Sequence, residues 1–334
     1  MSAFESNIEE QTTNLTREQQ LFDQLTRQLQ QQIIGQPHLI ERLLIALLAD
    51  GHLLVEGAPG LAKTTAVKAL ANQIEASFHR VQFTPDLLPA DLTGTDVFHP
   101  QTSRFEFEKG PLFHNVILAD EINRAPAKVQ SALLEAMAER QITVGKNTWK
   151  LPDLFLVMAT QNPIEQEGTF ALPEAQLDRF IMQVNLGYPD AEGEAAILAL
   201  ARNRERQPSA PVEPLITQQD IAQARQQVAN VHTSALVDQY LVQLVLATRN
   251  SSPYDGDMAR WIAWGGSPRA TIALDNCARA HAWLQGRDYL TPSDVQAVAH
   301  DVLRHRVLLS FEAEADGITS DQVIDRLLEL VPLP

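Results

Sequence analysis

Short apolar runs alternate with helical segments through the first 189 residues, and this alternation limits the fold more than any other feature of the sequence. The runs that favour strands are His52–Glu56, His79–Phe83, Val116–Asp120, Leu154–Thr160 and Phe180–Leu186. Helices are predicted over Thr64–Ile74 and Pro126–Arg140, where proline suits the first turn. Buried apolar strands that alternate with helices are typical of a parallel sheet covered on both faces. The sequence therefore predicts a five-stranded parallel α/β core.

The sequence after Tyr188 loses the strand pattern and becomes helical. Helices are predicted over residues 191–206, 217–230, 234–249, 267–285, 291–305 and 319–330. Gln207–Pro214 holds three prolines and is predicted to be a linker. We therefore expect an α/β domain over residues 1–189, with a helix inside Glu5–Gln32, and an all-α domain over residues 190–334. The boundary between them is expected somewhere in residues 188–215.

Two further segments interrupt the alternation of strands and helices. Pro85–Pro111 is rich in proline, glycine and threonine and contains the alternating stretch Arg104-Phe-Glu-Phe-Glu108. Gln141–Leu151 alternates apolar and polar residues on either side of Gly145. Period-two alternation around a glycine-containing turn is typical of a β-hairpin. Both segments are therefore predicted to be hairpins inserted into the core.

Charge and composition exclude several classes of protein. The net charge is −16, with 14 basic against 23 acidic residues up to residue 189 and 12 against 19 after it. A nucleic acid is therefore not expected to be the main partner. The single cysteine, Cys277, is predicted to be buried, which fits a reducing compartment. No signal peptide is apparent, and the longest apolar run, Leu43–Ala49, is far shorter than the roughly 20 residues of a membrane span. We expect a cytoplasmic protein without a membrane span.

A glycine-containing loop joins the first predicted strand to the helix that follows it. The predicted phosphate-binding residues are Gly57, Ala58, Pro59, Gly60, Leu61, Ala62, Lys63, Thr64 and Thr65. Backbone N–H groups at a helix N-terminus attract phosphates, Lys63 can reach the β- and γ-phosphates, and the Thr64 hydroxyl can ligate Mg2+. Ala62 stands where glycine is usual. Its methyl group is tolerated with helical dihedral angles and is unfavourable at positive φ.

Polar residues end two further strands, where a phosphate site needs them. Asp120 and Glu121 close the strand Val116–Asp120, 57 positions after Lys63. Asp120 can hold Mg2+ through water, and Glu121 can polarise an attacking water as a general base. Asn162, after the fourth strand, can orient that water, although an Asn-Pro pair alone is more often a turn. Together these features predict a site for ATP and Mg2+.

These motifs in this order, with Ile33-Ile-Gly-Gln36 upstream, resemble the AAA+ ATPases, a group of P-loop NTPases. Four stretches are specifically similar to the MoxR family: Gly57–Thr64, Asp120–Pro126, Thr160-Gln-Asn-Pro163 and Leu172–Phe180. The resemblance implies an α/β core followed by an all-α lid domain, with ATP and Mg2+ as ligands. Ala62 fits the family's own loop. Ile34 and Gly35 are expected to lie against adenine, and Asn162 is expected to be sensor 1.

The same resemblance implies how subunits and partners cooperate. Arg179 is expected to be the arginine finger that reaches the γ-phosphate held by a neighbouring subunit, and Arg124 ranks second for that role. Arg269 is expected to be sensor 2, in contact with the γ-phosphate of its own subunit. A finger in trans implies a homo-oligomeric ring, most often a hexamer. The hairpins are expected to face the central pore, where Lys146 and Trp149 could touch a client, although Trp149 equally fits packing inside its hairpin.

MoxR-type proteins look like chaperones that help other protein complexes assemble or mature. They often have a von Willebrand factor A domain partner, which here would be a separate chain. We therefore predict a Mg-dependent ATPase that remodels client complexes. Two alternatives remain open, a nucleic-acid motor and an ATP-binding switch with little hydrolysis. The acidity of both halves argues against the motor, and the complete set of hydrolytic residues argues against the switch.

Overall fold

The computed structural model describes residues 15–101, 103–162, 168–206 and 213–334. Three features from the sequence analysis lie outside the described residues: Pro163, most of the predicted Gln207–Pro214 linker, and the start of the predicted N-terminal helix. The helix itself begins at Arg17, behind Thr16, which forms a capping box with Gln19. None of the helices in the described residues is both long and apolar enough to cross a membrane.

The first part of the chain follows the predicted alternation of strands and helices. Its elements are α1 (Arg17–Gln32), α2 (Pro37–Leu48), β1 (Leu53–Glu56), α3 (Lys63–Gln73), β2 (Phe78–Gln82), α4 (Pro89–Thr93), β3 (Gly94–His99), β4 (Arg104–Lys109), β5 (Val116–Asp120), α5 (Ala127–Glu139), β6 (Gln141–Val144), β7 (Asn147–Lys150), β8 (Leu156–Gln161), α6 (Glu174–Leu177) and β9 (Met182–Asn185). Helix α2 was not predicted. It is buried on nearly every side, so its sequence lacks the polar stripe of an amphipathic helix.

Five parallel strands form the central sheet in the order β2-β5-β8-β1-β9. Successive side chains of a strand point to opposite faces. Leu53 and Val55 therefore pack into one hydrophobic cluster with α2 and α3, whereas Leu54 packs into a second cluster with α5. The predicted five-stranded parallel sheet with helices on both faces is confirmed.

Both predicted hairpins are present, because β3 pairs antiparallel with β4 and β6 pairs antiparallel with β7. The Trp149 ring of β7 stacks on Phe107 of β4, with 4.7 Å between ring centroids. Trp149 therefore packs against the neighbouring hairpin, whereas the alternative drawn from the sequence was packing inside its own hairpin. The contact ties the two hairpins together, and contact of Trp149 with a client stays a prediction. Phe98 and Phe105 form an exposed aromatic pair on the first hairpin, with centroids 5.1 Å apart.

The second part of the chain, from the helix that starts at Ala191 onwards, is mostly helical, and we call it the lid. Its elements are α7 (Ala191–Arg206), α8 (Gln218–Ala229), α9 (Ala235–Arg249), α10 (Gly256–Trp261), β10 (Ile262–Trp264), α11 (Pro268–Leu284), α12 (Pro292–Leu303), β11 (Leu308–Leu309), α13 (Phe311–Ala315) and α14 (Ser320–Leu330). All six predicted helices are present. The expectation that strands stop at residue 190 was wrong in one detail, since β10 and β11 pair as a small antiparallel sheet. Strands of two and three residues are too short to show a periodic pattern.

The lid and the α/β core share one continuous hydrophobic cluster. Phe22 of α1 meets Trp283 of α11 edge to face, with ring centroids 5.3 Å apart. A buried ion pair crosses the same boundary, where Arg42 Nε donates to Asp301 Oδ2 at 2.6 Å. The helices before β1 therefore hold the lid to the core. The exact division between the two domains stays a prediction.

Two buried histidines are neutral in the fold. His52 Nδ1 accepts a hydrogen bond from the Val157 N–H at 3.1 Å, and its Nε2 donates to the Met137 carbonyl at 3.3 Å. Burial, reinforced by the charge of Arg140, lowers the pKa of His52 from 6.5 to about 3. Burial likewise lowers the pKa of His305 well below 6.5.

We expect acid to destabilise the fold through these imidazoles. Below about pH 6.5 each histidine takes up a proton in the unfolded chain, whereas the folded protein leaves both neutral, so stability falls as pH falls. Each contributes a slope of up to about 1.4 kcal/mol per pH unit. His52→Gln should remove about that slope between pH 6 and pH 5, measured by urea unfolding at both values. Equal slopes in the wild type and the variant would contradict this account.

Candidate functional site

A cavity of about 340 Å³ opens at the carboxyl edge of the sheet. Its described lining is Pro59, Gly60, Ala62, Lys63, Thr64, Thr65, Arg80, Gln82, Asp120, Glu121 and Asn162. These residues belong to the loop after β1, the first turn of α3, and the ends of β2, β5 and β8. Ligands of parallel α/β sheets bind outside the carboxyl ends of the strands. The cavity therefore brings the predicted loop, the two acids and Asn162 together where the fold favours binding.

The loop between β1 and α3 contains two residues in the left-handed region. Gly60 has a φ of 88°, and Ala62 has a φ of 57° and a ψ of 15°. Of the two cases that the sequence left open for Ala62, the structure shows the unfavourable one, which costs a residue with a Cβ atom about 1–2 kcal/mol. The strained alanine leads directly into α3. The N–H groups of its first turn have no partner within the helix and favour an anion.

The Lys63 ammonium turns back across its own loop. Its Nζ donates to the Gly57 carbonyl at 2.6 Å. Burial lowers the pKa of Lys63, and the nearby carboxylates of Asp120 and Glu121 oppose that shift. An anion in the cavity would therefore compete with a single carbonyl for this ammonium.

The Thr160 hydroxyl at the end of β8 joins the two acids. It donates to Asp120 Oδ1 at 2.6 Å and accepts from the Glu121 N–H at 2.9 Å. Glu121 has a φ of 56°, so it too is a non-glycine residue in the left-handed region. Such strain persists where surrounding contacts determine the backbone, and it is concentrated at functional sites. The Thr160 hydroxyl thus holds both the Asp120 carboxylate and the backbone of Glu121, and it fixes the turn between the two residues.

Two cavity residues of β2 were not predicted from the sequence. Arg80 Nη2 and Nε donate to Asp120 Oδ2 at 2.6 and 3.0 Å, and Gln82 Nε2 donates to Glu121 Oε2 at 2.7 Å. Arg80 and Gln82 are two positions apart and share one face of an edge strand. The alternation of polar Arg80 and Gln82 with apolar Val81 and Phe83 was the available signal. Each acid is therefore engaged by a side chain of β2.

A second cavity, of about 420 Å³, shares Pro59, Gly60, Ala62 and Thr65 with the first. Its apolar lining includes Ile34, Leu61, Tyr188, Ile197 and Leu200. Gly35 does not line this cavity. Its φ of 76° lies in the region that favours glycine, and a Cβ atom added there would lie 3.2 Å from Pro189 Cβ. Gly57 and Ala58 line neither cavity. The two cavities together offer a polar half and an apolar half.

The three arginines expected near the γ-phosphate lie in different places. Arg124 Nη1 is 3.3 Å from Glu121 Oε2, at the first cavity's edge. Arg179 donates to a backbone carbonyl of α5 at 2.6 Å, and Arg269 Nη1 lies 3.9 Å from Asp178 Oδ2. Neither Arg179 nor Arg269 lines the cavity. Helix α11 begins beside Asp178, and the role of Arg269 as sensor 2 for the γ-phosphate of its own subunit stays a prediction.

Two parts of the chain match known families in the regions where the structure shows core and lid. Residues 52–182 match the family described as ATPase family associated with various cellular activities (AAA). Residues 258–327 match the AAA lid domain. The first match contains the loop after β1, both acids and Asn162.

Similar proteins extend over nearly the whole chain. Chaperone MoxR1 of Mycobacterium tuberculosis is 48% identical over 305 residues, which cover 90% of this chain and 79% of that protein. Protein MoxR of Methylorubrum extorquens is 32% identical, over 92% of this chain and 94% of that protein. A crystal structure from Cytophaga hutchinsonii is 42% identical, with a TM-score of 0.89 and full coverage of both chains. The chain therefore belongs to the MoxR family of AAA+ ATPases.

Proposed function

We propose that this protein hydrolyses ATP with Mg2+ at the cavity after β1, and that a ring of subunits uses the hydrolysis to remodel other protein complexes. The observation that carries the proposal is the meeting of Lys63, Thr64, Asp120, Glu121 and Asn162 in one cavity. These groups supply the charge, the metal ligands and the base that phosphoryl transfer to water requires. Membership of the AAA ATPase family supports the same activity.

The side chains at the cavity fit a magnesium ion. Hard cations prefer oxygen ligands, and the Thr64 hydroxyl and the Asp120 carboxylate are the groups that would hold it. When bound, the ion supplies charge neutralisation at the β- and γ-phosphates. Lys63 binds phosphate oxygens once it leaves the Gly57 carbonyl, and the N–H groups of the loop bind the remaining ones.

Glu121 acts as the general base in this proposal. Its carboxylate accepts the proton of the attacking water, and Asn162 orients that water. In the described structure Glu121 Oε2 accepts from Gln82 at 2.7 Å and lies 3.3 Å from Arg124. Both contacts compete with the water for the same oxygen.

A neighbouring subunit is proposed to complete the site. Arg179, which does not line the cavity of its own chain, is the proposed arginine finger. In a ring it reaches the γ-phosphate bound by the next subunit, and Arg124 ranks second for that role. Arg269 is the proposed sensor 2, in contact with the γ-phosphate of its own subunit. A hexamer is the ring size that we expect.

The client is proposed to be a protein complex, reached through the two hairpins. Phe98 and Phe105 are exposed on the β3–β4 hairpin and can contact an unfolded or partly assembled protein. A von Willebrand factor A domain protein is a proposed separate partner. The name Chaperone MoxR1 of a relative supports a chaperone role. We place the activity in the cytoplasm.

Removal of the base should stop hydrolysis without loss of nucleotide binding. Glu121→Gln keeps the shape of the side chain but cannot take a proton, so the rate of phosphate release should fall by about 10²–10⁴-fold. The affinity for a fluorescent ATP analogue should stay within about threefold of the wild-type value. Glu139→Gln, at an exposed carboxylate of α5, is the matched control and should keep the wild-type rate. Equal rates at background level in the wild type and Glu121→Gln would leave an ATP-binding switch as the function, and equal rates above background would show that Glu121 is not the base.

Loss of Arg80 should lower the Mg2+ concentration that nucleotide binding requires. Its guanidinium holds Asp120 Oδ2 at 2.6 Å and competes with a cation for that carboxylate. In Arg80→Ala the Mg2+ concentration for half-maximal binding of a fluorescent ADP analogue should fall by about two- to fivefold, as for a half-exposed pair. Arg124→Ala, which removes a cation from Glu121 instead, should leave that midpoint unchanged. An unchanged or higher Mg2+ midpoint in Arg80→Ala would show that Arg80 does not compete with Mg2+ for the Asp120 carboxylate.

Mixed oligomers should reveal an active site shared between subunits. Arg179→Ala lacks the finger and Glu121→Gln lacks the base, so each should be inactive alone. In an equal mixture about a quarter of the interfaces combine an intact base with an intact finger from the next subunit, so about a quarter of the wild-type rate should return. Phosphate release measures the rate, and sedimentation with ATP verifies assembly. No recovery in assembled mixtures would place the finger in its own subunit or outside the reaction.

A further inference from the structure

The lid residue Arg306 is buried against the segment that carries Arg179. Its side chain is 3% exposed, and its Nε donates to Asp178 Oδ1 at 2.7 Å. The guanidinium also donates to the carbonyls of Phe180 at 2.7 Å and Ile181 at 3.1 Å. A buried guanidinium needs partners for its whole planar fork. The lid therefore fixes the backbone on both sides of Arg179.

A second contact ties the same carboxylate to the start of α11. The Ser267 hydroxyl accepts from the Arg269 N–H at 3.1 Å, which caps the helix, and donates to Asp178 Oδ2 at 2.8 Å. Arg269 Nη1 lies 3.9 Å from that oxygen. Asp178 thus holds one side chain from the end of α12 and two from the start of α11. These two places are distant in the lid sequence, and both reach this carboxylate.

The core holds Arg179 more loosely than the lid holds its neighbours. Arg179 Nη1 donates to the Leu134 carbonyl of α5 at 2.6 Å. An anionic partner forms stronger, charge-assisted hydrogen bonds with a guanidinium than a neutral carbonyl does. The tip of Arg179 can therefore leave Leu134 for a phosphate. The place from which it reaches is set by Asp178 and Arg306.

We propose that Asp178 is a positioning residue through which each chain's lid sets the reach of Arg179 into the neighbouring site. This inference rests on the proposed role of Arg179 in trans. Arg306 and Ser267 of the lid thereby act on the finger through one carboxylate of the core.

Two variants test the positioning role directly. Asp178→Asn keeps the side-chain shape but removes the counter-charge of Arg306, and Arg306→Lys keeps the charge but loses the planar fork. Removing one partner of a buried pair destabilises a protein, so thermal unfolding first identifies which variant remains folded at the assay temperature. Each should bind a fluorescent ATP analogue like the wild type and hydrolyse ATP at least about tenfold more slowly. Asp275→Asn, which removes the 2.8 Å pair with Arg279 on α11, is the matched control and should keep the wild-type rate.

Mixtures decide whether Asp178 acts on its own site or on the neighbour's. Asp178→Asn mixed with Glu121→Gln should regain activity, because intact bases then meet intact fingers. Mixed with Arg179→Ala it should stay inactive, because neither chain presents a working finger. A gain only with Arg179→Ala, a gain in both mixtures or a gain in neither would overturn the positioning role. Failure of Arg179→Ala to complement Glu121→Gln would be a separate result, which removes the shared site itself.

Discussion

Parallel pairing of β1, β8 and β5 is the constraint on which the site depends. Glu56 at the end of β1 is aligned with Gln161 at the end of β8, and Ala119 of β5 is aligned with Ala159 of β8. The strands run in one direction and end at nearly the same level, so the loop after β1 and the acids after β5 leave at one edge. A slip of one residue would turn each strand's side chains to the opposite face. The separate hydrophobic clusters on the two faces oppose that slip.

Most of the core and of the cavity could be predicted because their signals are local in the sequence. The loop after β1, the acids after β5 and Asn162 each follow a buried apolar run that marks a strand on its own. The hairpins were equally visible, since alternation around Gly145 and within Arg104–Lys109 needs no knowledge of the rest of the fold. The rule that parallel strands bind ligands at their carboxyl ends then placed these groups together.

The remaining features depend on contacts between distant parts of the chain. Arg80 touches Asp120 across 40 positions, and this pairing follows from the choice of β5 as the neighbour of β2. Arg269 meets Asp178 because of how the lid docks on the core, which the helical pattern of the lid does not encode. The φ of Ala62 is likewise set by the geometry between β1 and α3 and not by the alanine. Helix α2 was not predicted, because it is buried on nearly all sides and its sequence lacks the polar stripe of an amphipathic helix.

Ala62 and Glu121 border the same cavity in left-handed conformations. Glycine, asparagine and aspartate adopt this conformation at lower energy, yet neither position holds one of them. At Glu121 each of the three would shorten or remove the carboxylate that the proposed chemistry uses. The fold thus gives up stability at the Glu121 turn, where the proposed activity limits the choice of residue. Engineering for heat resistance should leave that turn unchanged, because relaxing it trades turnover for robustness.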